Sequence, residues 1–153
     1  MTPQQMLQRT THMAQAMREM VGKSVAVGLP KESGSSKVYE SGLTVIEVGA
    51  KHEFGDGVPS RSFLRTPFKV RAEEIRAAIN RQAMNVIEGG SVEQALGMIG
   101  VKATNISKGA FTSRGYGQWA DLDPATKAEK GSSQVLVDTG TLRGSITWVI
   151  KDE

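Results

Sequence analysis

Residues 66–90 read TPFKVRAEEIRAAINRQAMNVIEGG, and this stretch decides the fold class. Phe68, Ala72, Ile75, Ile79, Ala83 and Val86 recur in steps of four and three, the period that lines one face of an α-helix. Thr66 is placed to cap that helix, Pro67 suits its first turn because the missing N–H would have no partner there, and Gly89-Gly90 ends the pattern. About 22 residues at 1.5 Å each predict a rod of roughly 33 Å, enough to cross a small sheet. Arg65, Lys69, Arg71, Arg76 and Arg81 fall on the outer face with Glu73 and Glu74, which reads as a solvated surface.

Working outward, Ser91 with Gln94 three residues on makes a capping box for a further helix, with Val92, Ala95, Leu96, Ile99 and Ala103 inward. Gly97 and Gly100 weaken that helix in isolation, so they predict close approach of a neighbouring element. At the other end, residues 1–22 predict an amphipathic helix from Pro3 to Val21, capped by Thr2, stopped by Gly22, and striped by Met6, Leu7, Met13, Met17, Met20 and Val21. Ser24–Leu29 and Leu43–Ala50 alternate apolar and polar residues and predict two strands of a hairpin. The Gly- and Ser-rich residues 30–42 (PKESGSSKVYESG) between them predict a mobile loop. Residues 108–118 (KGAFTSRGYGQ) read as an irregular loop, and Gln134–Val137, the turn DTGTLRG and Ser145–Lys151 as a second hairpin whose Ile146, Trp148 and Ile150 share a face. Together these elements predict an α+β fold in a single domain over residues 1–153: a small antiparallel sheet packed by one long and one or two shorter helices.

Composition excludes several functions. The chain has no cysteine, so disulfides, thiolate nucleophiles and thiolate metal sites are ruled out. Two histidines are all that is left for imidazole chemistry. The net charge of +3 reflects 19 basic against 16 acidic residues, too even to imply nucleic-acid binding, and 5% aromatics is little for a surface that stacks bases. No apolar run approaches the roughly 18 residues of a membrane helix, and MTPQQMLQRTTHMAQ lacks the apolar core of a signal peptide. The expectation is a soluble protein made in the cytoplasm, with no membrane partner.

Catalytic motifs break down on inspection. His52-Glu53 begins HEFGD, with Asp56 where a second zinc-binding histidine would stand. Asp138-Thr139-Gly140 has the residues of an aspartic-protease turn, but that chemistry needs two such loops sharing a proton, and a self-bonded turn explains the residues equally well. Gly28–Ser36 has no lysine placed as in a phosphate loop, and Asn105-Ile106-Ser107 is a chance glycosylation match. The expectation is no enzyme, no cofactor and no metal.

Two stretches taken in order carry a resemblance. The first is VGAKHEFG (48–55), with His52, Glu53, Phe54 and Gly55, followed by VPSRSFLR (58–65), with Pro59, Arg61, Phe63 and Leu64. The second is WADLDPAT (119–126), with Trp119, Leu122 and Thr126, then Lys130, then VLVDTGTLRGSI (135–146), with Asp138, Thr139, Gly140, Leu142 and Ser145. Over roughly residues 45–150 this order and spacing resemble the Mu-like virion morphogenesis, tail-completion and minor tail proteins of tailed bacteriophages. Ser62 departs from that pattern, standing where the family has proline.

The resemblance implies a small α+β structural protein that forms a ring at the head-to-tail junction. Its partners would be its own copies, as hexamer or dodecamer, the portal or connector, and tail-tube or tail-terminator proteins, with DNA passing through the lumen. In such a ring, Ser33, Gly34, Ser35 and Tyr39 of one loop and Phe111, Arg114 and Tyr116 of the other are the expected inter-subunit contacts. The alternatives are a small basic nucleic-acid-binding module using Arg65, Lys69, Arg76 and Arg81, and a hydrolase around His52, Glu53 and Asp56.

Overall fold

A computed structural model describes residues 1–33, 35–121 and 140–153. Helix α1 (Pro3–Val21) forms as its sequence predicts: Thr2 Oγ1 accepts from the Gln5 amide while the Gln5 side chain accepts from the Thr2 amide, and Gly22 ends it. Strand β1 (Lys23–Gly28) follows, then a 3-10 turn (Lys31–Ser33), α2 (Val45–Phe54), α3 (Arg65–Val70), α4 (Ala72–Ile87), α5 (Val92–Ser113), α6 (Gly140–Ser145) and strand β2 (Thr147–Asp152). The fold is α+β, with helices packed on one two-stranded antiparallel sheet among the described residues.

That sheet is not the expected hairpin. β1 pairs with β2 from the far end of the chain, Val25 opposite Ile150 and Val27 opposite Trp148. The segment expected as its partner, residues 43–50, is instead the start of α2. Thr44 and Glu47 bond reciprocally as a capping box, and Val45, Gly49 and Glu53 are buried at four-residue steps. The alternation of Ile46, Val48 and Ala50 with Val45 and Glu47 was therefore coincident with a helical period, and the closed box at its start decides between them. Gly55 then ends α2 in the left-handed region at φ +77°, where a side chain would be strained.

The long rod predicted from residue 66 also differs. It starts at Arg65 and is broken at Arg71 into α3 and α4, where φ is −105° and ψ +25°. Arg71 places its guanidinium over the Tyr116 ring, 4.5 Å from the centroid, and bonds to Glu74. Ile79, expected inward, is exposed. The longest helix is α5, which runs straight through residues 108–113 of the loop expected over 108–118, ending where Arg114 turns left-handed at φ +55°. Gly109 and the buried Ala110 and Phe111 continue the inward face of α5, so the glycine that suggested a loop sits inside a helix braced by tertiary contacts.

α5 is the spine. Its N-terminal half carries Val92, Ala95 and Leu96 against Ala16 of α1 and Val86 of α4, with Met20, Val25 and Ile150 alongside. Its C-terminal half carries Ala110 and Phe111 against Val45, Phe63, Trp119, Leu142 and Ile146. Between the two clusters the Trp148 ring of β2 lies on Gly97 and Gly100, the close approach that the two glycines predict. Within residues 30–42, expected as a mobile loop, Ser35 is buried and its hydroxyl donates to Pro30 O, and Tyr39 N donates to Leu43 O at 2.8 Å, while most of the other described side chains are exposed.

Candidate functional site

The residues singled out in the two sequence stretches converge on one junction, between the C-terminal end of α2, the N-terminus of α3 and the chain after α5. Glu53, projected inward by α2 and 5% exposed, stands at its centre. Its carboxylate accepts five hydrogen bonds: Ser62 Oγ and the Arg65 amide and Nε reach Oε1, at 2.7, 3.1 and 2.9 Å, and the Phe63 and Leu64 amides reach Oε2, at 2.8 and 3.1 Å. Thr66, expected as the cap of this helix, donates its amide to Ser62 Oγ instead. The cap of α3 is thus supplied from another helix, because Leu64 at the N-cap position has no side chain that could accept a bond.

Burial alone would raise the Glu53 pKa, but the bonds from Ser62, Arg65 and Leu64 outweigh it and hold the carboxyl below its ordinary range. A carboxylate with both oxygens occupied by donors and a lowered pKa is anchored for structure and is a poor proton acceptor. Asp56, the third member of the hydrolase alternative, pairs with Lys51 at 3.6 Å. His52 is half-buried, and its carbonyl accepts from the Arg61 amide at 2.8 Å, which turns the chain back from α2 toward α3. Arg61 is itself buried; desolvation lowers its pKa and nearby Asp121 opposes that shift.

Trp119 closes the junction from the second stretch. Its indole N–H donates to Ser62 O at 2.9 Å, and its ring meets Phe111 edge-on, 5.6 Å between centroids at 86°. Phe111 in turn lies 5.7 Å from Phe63, whose carbonyl accepts from the buried Ser107 hydroxyl at 2.6 Å. Gly115 allows this turn, since a Cβ there would strike the Trp119 indole. Trp119→Phe keeps the ring contacts but strands the Ser62 carbonyl, so a loss of about 2 kcal/mol is expected in urea unfolding. An unchanged midpoint would show that the indole bond contributes nothing.

Leu142, Ser145 and Ile146 are also buried, Leu142 and Ile146 in the same core cluster and Ser145 with its hydroxyl on Thr141 O. Gly140 opens α6 on the surface, Pro59 is exposed, and Phe54 is exposed beneath the Arg65 guanidinium, 4.6 Å from its ring centroid. Leu122, Thr126, Lys130, Asp138 and Thr139 lie outside the described residues, as do Gln134–Val137 and Gly34.

The expected inter-subunit residues divide. Phe111 and Ser35 are inside the protomer, Phe111 because its position on α5 faces the core and Ser35 because its hydroxyl is bonded to Pro30 O, so neither is offered to a neighbour. Ser33 Oγ is 2.7 Å from Ser145 O, and the Tyr116 hydroxyl donates to Ile106 O at 2.7 Å; both act within the chain. Tyr39 packs against the core edge, and Arg114 is exposed and pairs with Asp121 at 3.4 Å. Of the four cations in the nucleic-acid alternative, Arg65 is paired with Glu53 and Arg76 with Glu73.

Sequence reading missed two contributors. Ser62, a departure from the proline of the resembled pattern, both donates to Glu53 and accepts from α3. Ser107 lies inside a chance tripeptide, and no local signal marks it, because its partner is 44 residues away. Among the described residues no three His, Asp or Glu side chains gather to hold a metal ion, and no helix is long and apolar enough to cross a membrane. Comparison of the chain with family models, curated proteins and solved structures finds no match.

Proposed function

We propose that the chain is a structural virion protein of a tailed phage, a ring-forming tail-completion or neck protein at the head-to-tail junction. The observation that carries this reading is how the polar groups of the two stretches are used. Glu53, Ser62 and Trp119 spend their hydrogen bonds on joining α2, α3 and the end of α5, which is the use expected of an assembly scaffold. The surface, by contrast, offers large apolar side chains on helices: Met6, Leu7, Met17, Phe54, Met84 and Met98 are all more than half exposed. Apolar helix faces without a partner suit a protein whose working state is an assembly.

On this reading the chain is made in the host cytoplasm and ends in the virion neck. It works as a hexamer or dodecamer between the portal or connector and the tail-tube or tail-terminator protein, with DNA passing through the lumen. Removing the chain from a phage that encodes it is expected to leave filled heads and separate tails in electron micrographs, with joining restored by supplying the chain in trans. Normally joined tails in its absence, together with a strictly monomeric purified chain, would overturn the reading.

A further inference from the structure

Two exposed apolar stripes, one on α1 and one on α2, sit toward opposite ends of the molecule. α1 contacts the cluster at the N-terminal half of α5, whereas α2 contacts the cluster at its C-terminal half. The 22-residue α5 separates them by up to roughly 33 Å.

On α1 only Ala16 is buried, and every residue from Met1 to His12 is exposed. Three turns of helix therefore stand clear of the core, apart from His12 Nε2 at 3.3 Å from Val86 O. A helix of that length is marginal in water without a surface to pack on. Its uncovered flank carries Met6, 57% exposed, Met17, 57%, and Val21, 83%. Met13, Met17 and Val21 follow one another at four-residue steps and form a ridge.

On α2 the outer flank carries Ile46, Ala50 and Phe54, again at four-residue steps, with Phe54 68% exposed and the small Ala50 at the centre. Two ridges of equal step can interleave, and a methionine at the middle of one fits over an alanine at the middle of the other. Charge agrees. No acidic residue precedes Glu19 in α1, whose exposed cations are Arg9 and Arg18. Around the α2 ridge, the exposed Glu40 and Glu47 outnumber Lys37, Lys51 is offset by Asp56, and Arg65, whose guanidinium lies over Phe54, is offset by Glu53.

We infer that the α1 ridge of one copy docks on the α2 ridge of the next, so that the chain associates head to tail. Because the two patches are different surfaces of one molecule, each docking leaves one free patch at either end, and the association closes into a ring or runs on as an open filament; the structural reading above selects the ring. This deepens the structural reading above by assigning the subunit contact to α1 and α2 rather than to the two loops.

The test uses sedimentation velocity on the full chain at about 100 µM, well above a micromolar Kd. Met17→Lys and Ala50→Lys both place a helix-forming residue at an exposed helical position, and circular dichroism checks that each variant keeps its helices. The parent chain is expected to sediment as a closed oligomer and each variant alone as a monomer. An equimolar mixture of the two variants is expected to give a one-to-one dimer and nothing larger, because one intact α1 then meets one intact α2. Variants that assemble like the parent, or a mixture that stays monomeric, overturn the α1–α2 contact while leaving the ring reading in place. A parent chain that remains monomeric overturns the contact, and the ring reading then falls or stands on the virion micrographs.

Discussion

Glu53→Ala is expected to destabilise the fold by about 3–5 kcal/mol, a large share of what a domain of this size holds. The ion pair with Arg65 is the smaller part of that loss, because the Arg65 side chain is 62% exposed and the pair is screened by solvent. The larger part is the amides of Phe63, Leu64 and Arg65, which with the Ser62 hydroxyl lose their acceptor at the part-buried start of α3. Glu53→Gln keeps the shape and one acceptor oxygen but turns an NH2 group toward donors, so about 2 kcal/mol is expected. Urea unfolding of the two variants gives the order, and a Gln variant as damaged as Ala would mean that the charge matters more than the bonds.

The same site sets an acid limit. The Glu53 carboxyl is held below its unfolded value, so its contribution is present in full above an unfolded pKa of about 4.3 and is lost as pH falls through the lower folded value. The difference in stability between the parent and Glu53→Gln should therefore shrink as pH drops from about 5 to about 3. A difference that stays constant over that window would show that folding does not shift the Glu53 pKa.

Gly100→Val is expected to cost about 3 kcal/mol, because a Cβ at this position would overlap the Trp148 ring at Cγ, Cδ2 and Cε3. To admit it the indole has to leave the groove it occupies on α5, and β2 would carry the strain into its pairing with β1. Gly100→Ala makes the same collision with less bulk and regains about 1 kcal/mol of helix propensity, so its net loss is smaller. Trp148→Val opens the space, and the double variant Gly100→Ala/Trp148→Val should lose less than the sum of the two single variants. Additive losses in thermal unfolding would show that the ring does not rest on the glycine.

How far the molecule was legible follows from where each signal lies along the chain. α1 was readable to its ends, since Thr2, Pro3 and Gly22 are local cap signals that need nothing from the rest of the fold. The start of α5 and the role of Gly97 and Gly100 were readable for the same reason, although which residue would fill the groove was not. α2 was readable in principle from Thr44 and Glu47, the two ends of a capping box, but ten residues of mixed periodicity favoured a strand. The glycine at position 109 hid the continuation of α5, because only packing of Ala110 and Phe111 on Phe63 and Trp119 offsets its poor propensity.

Sequence alone determined the fold class, the helical nature of residues 3–21 and of most of 65–113, and the absence of any cysteine chemistry, since composition and short-range caps act within a turn or two of chain. The tertiary structure decided what spans longer separations. It chose β2 over residues 43–50 as the partner of β1, made Glu53 the cap of a helix whose own residues could not cap it, and moved Phe111 from surface to core. The physical reason is common to all three: a buried amide or an aromatic ring is satisfied by whichever group the packed chain brings to it, and no local pattern encodes that partner.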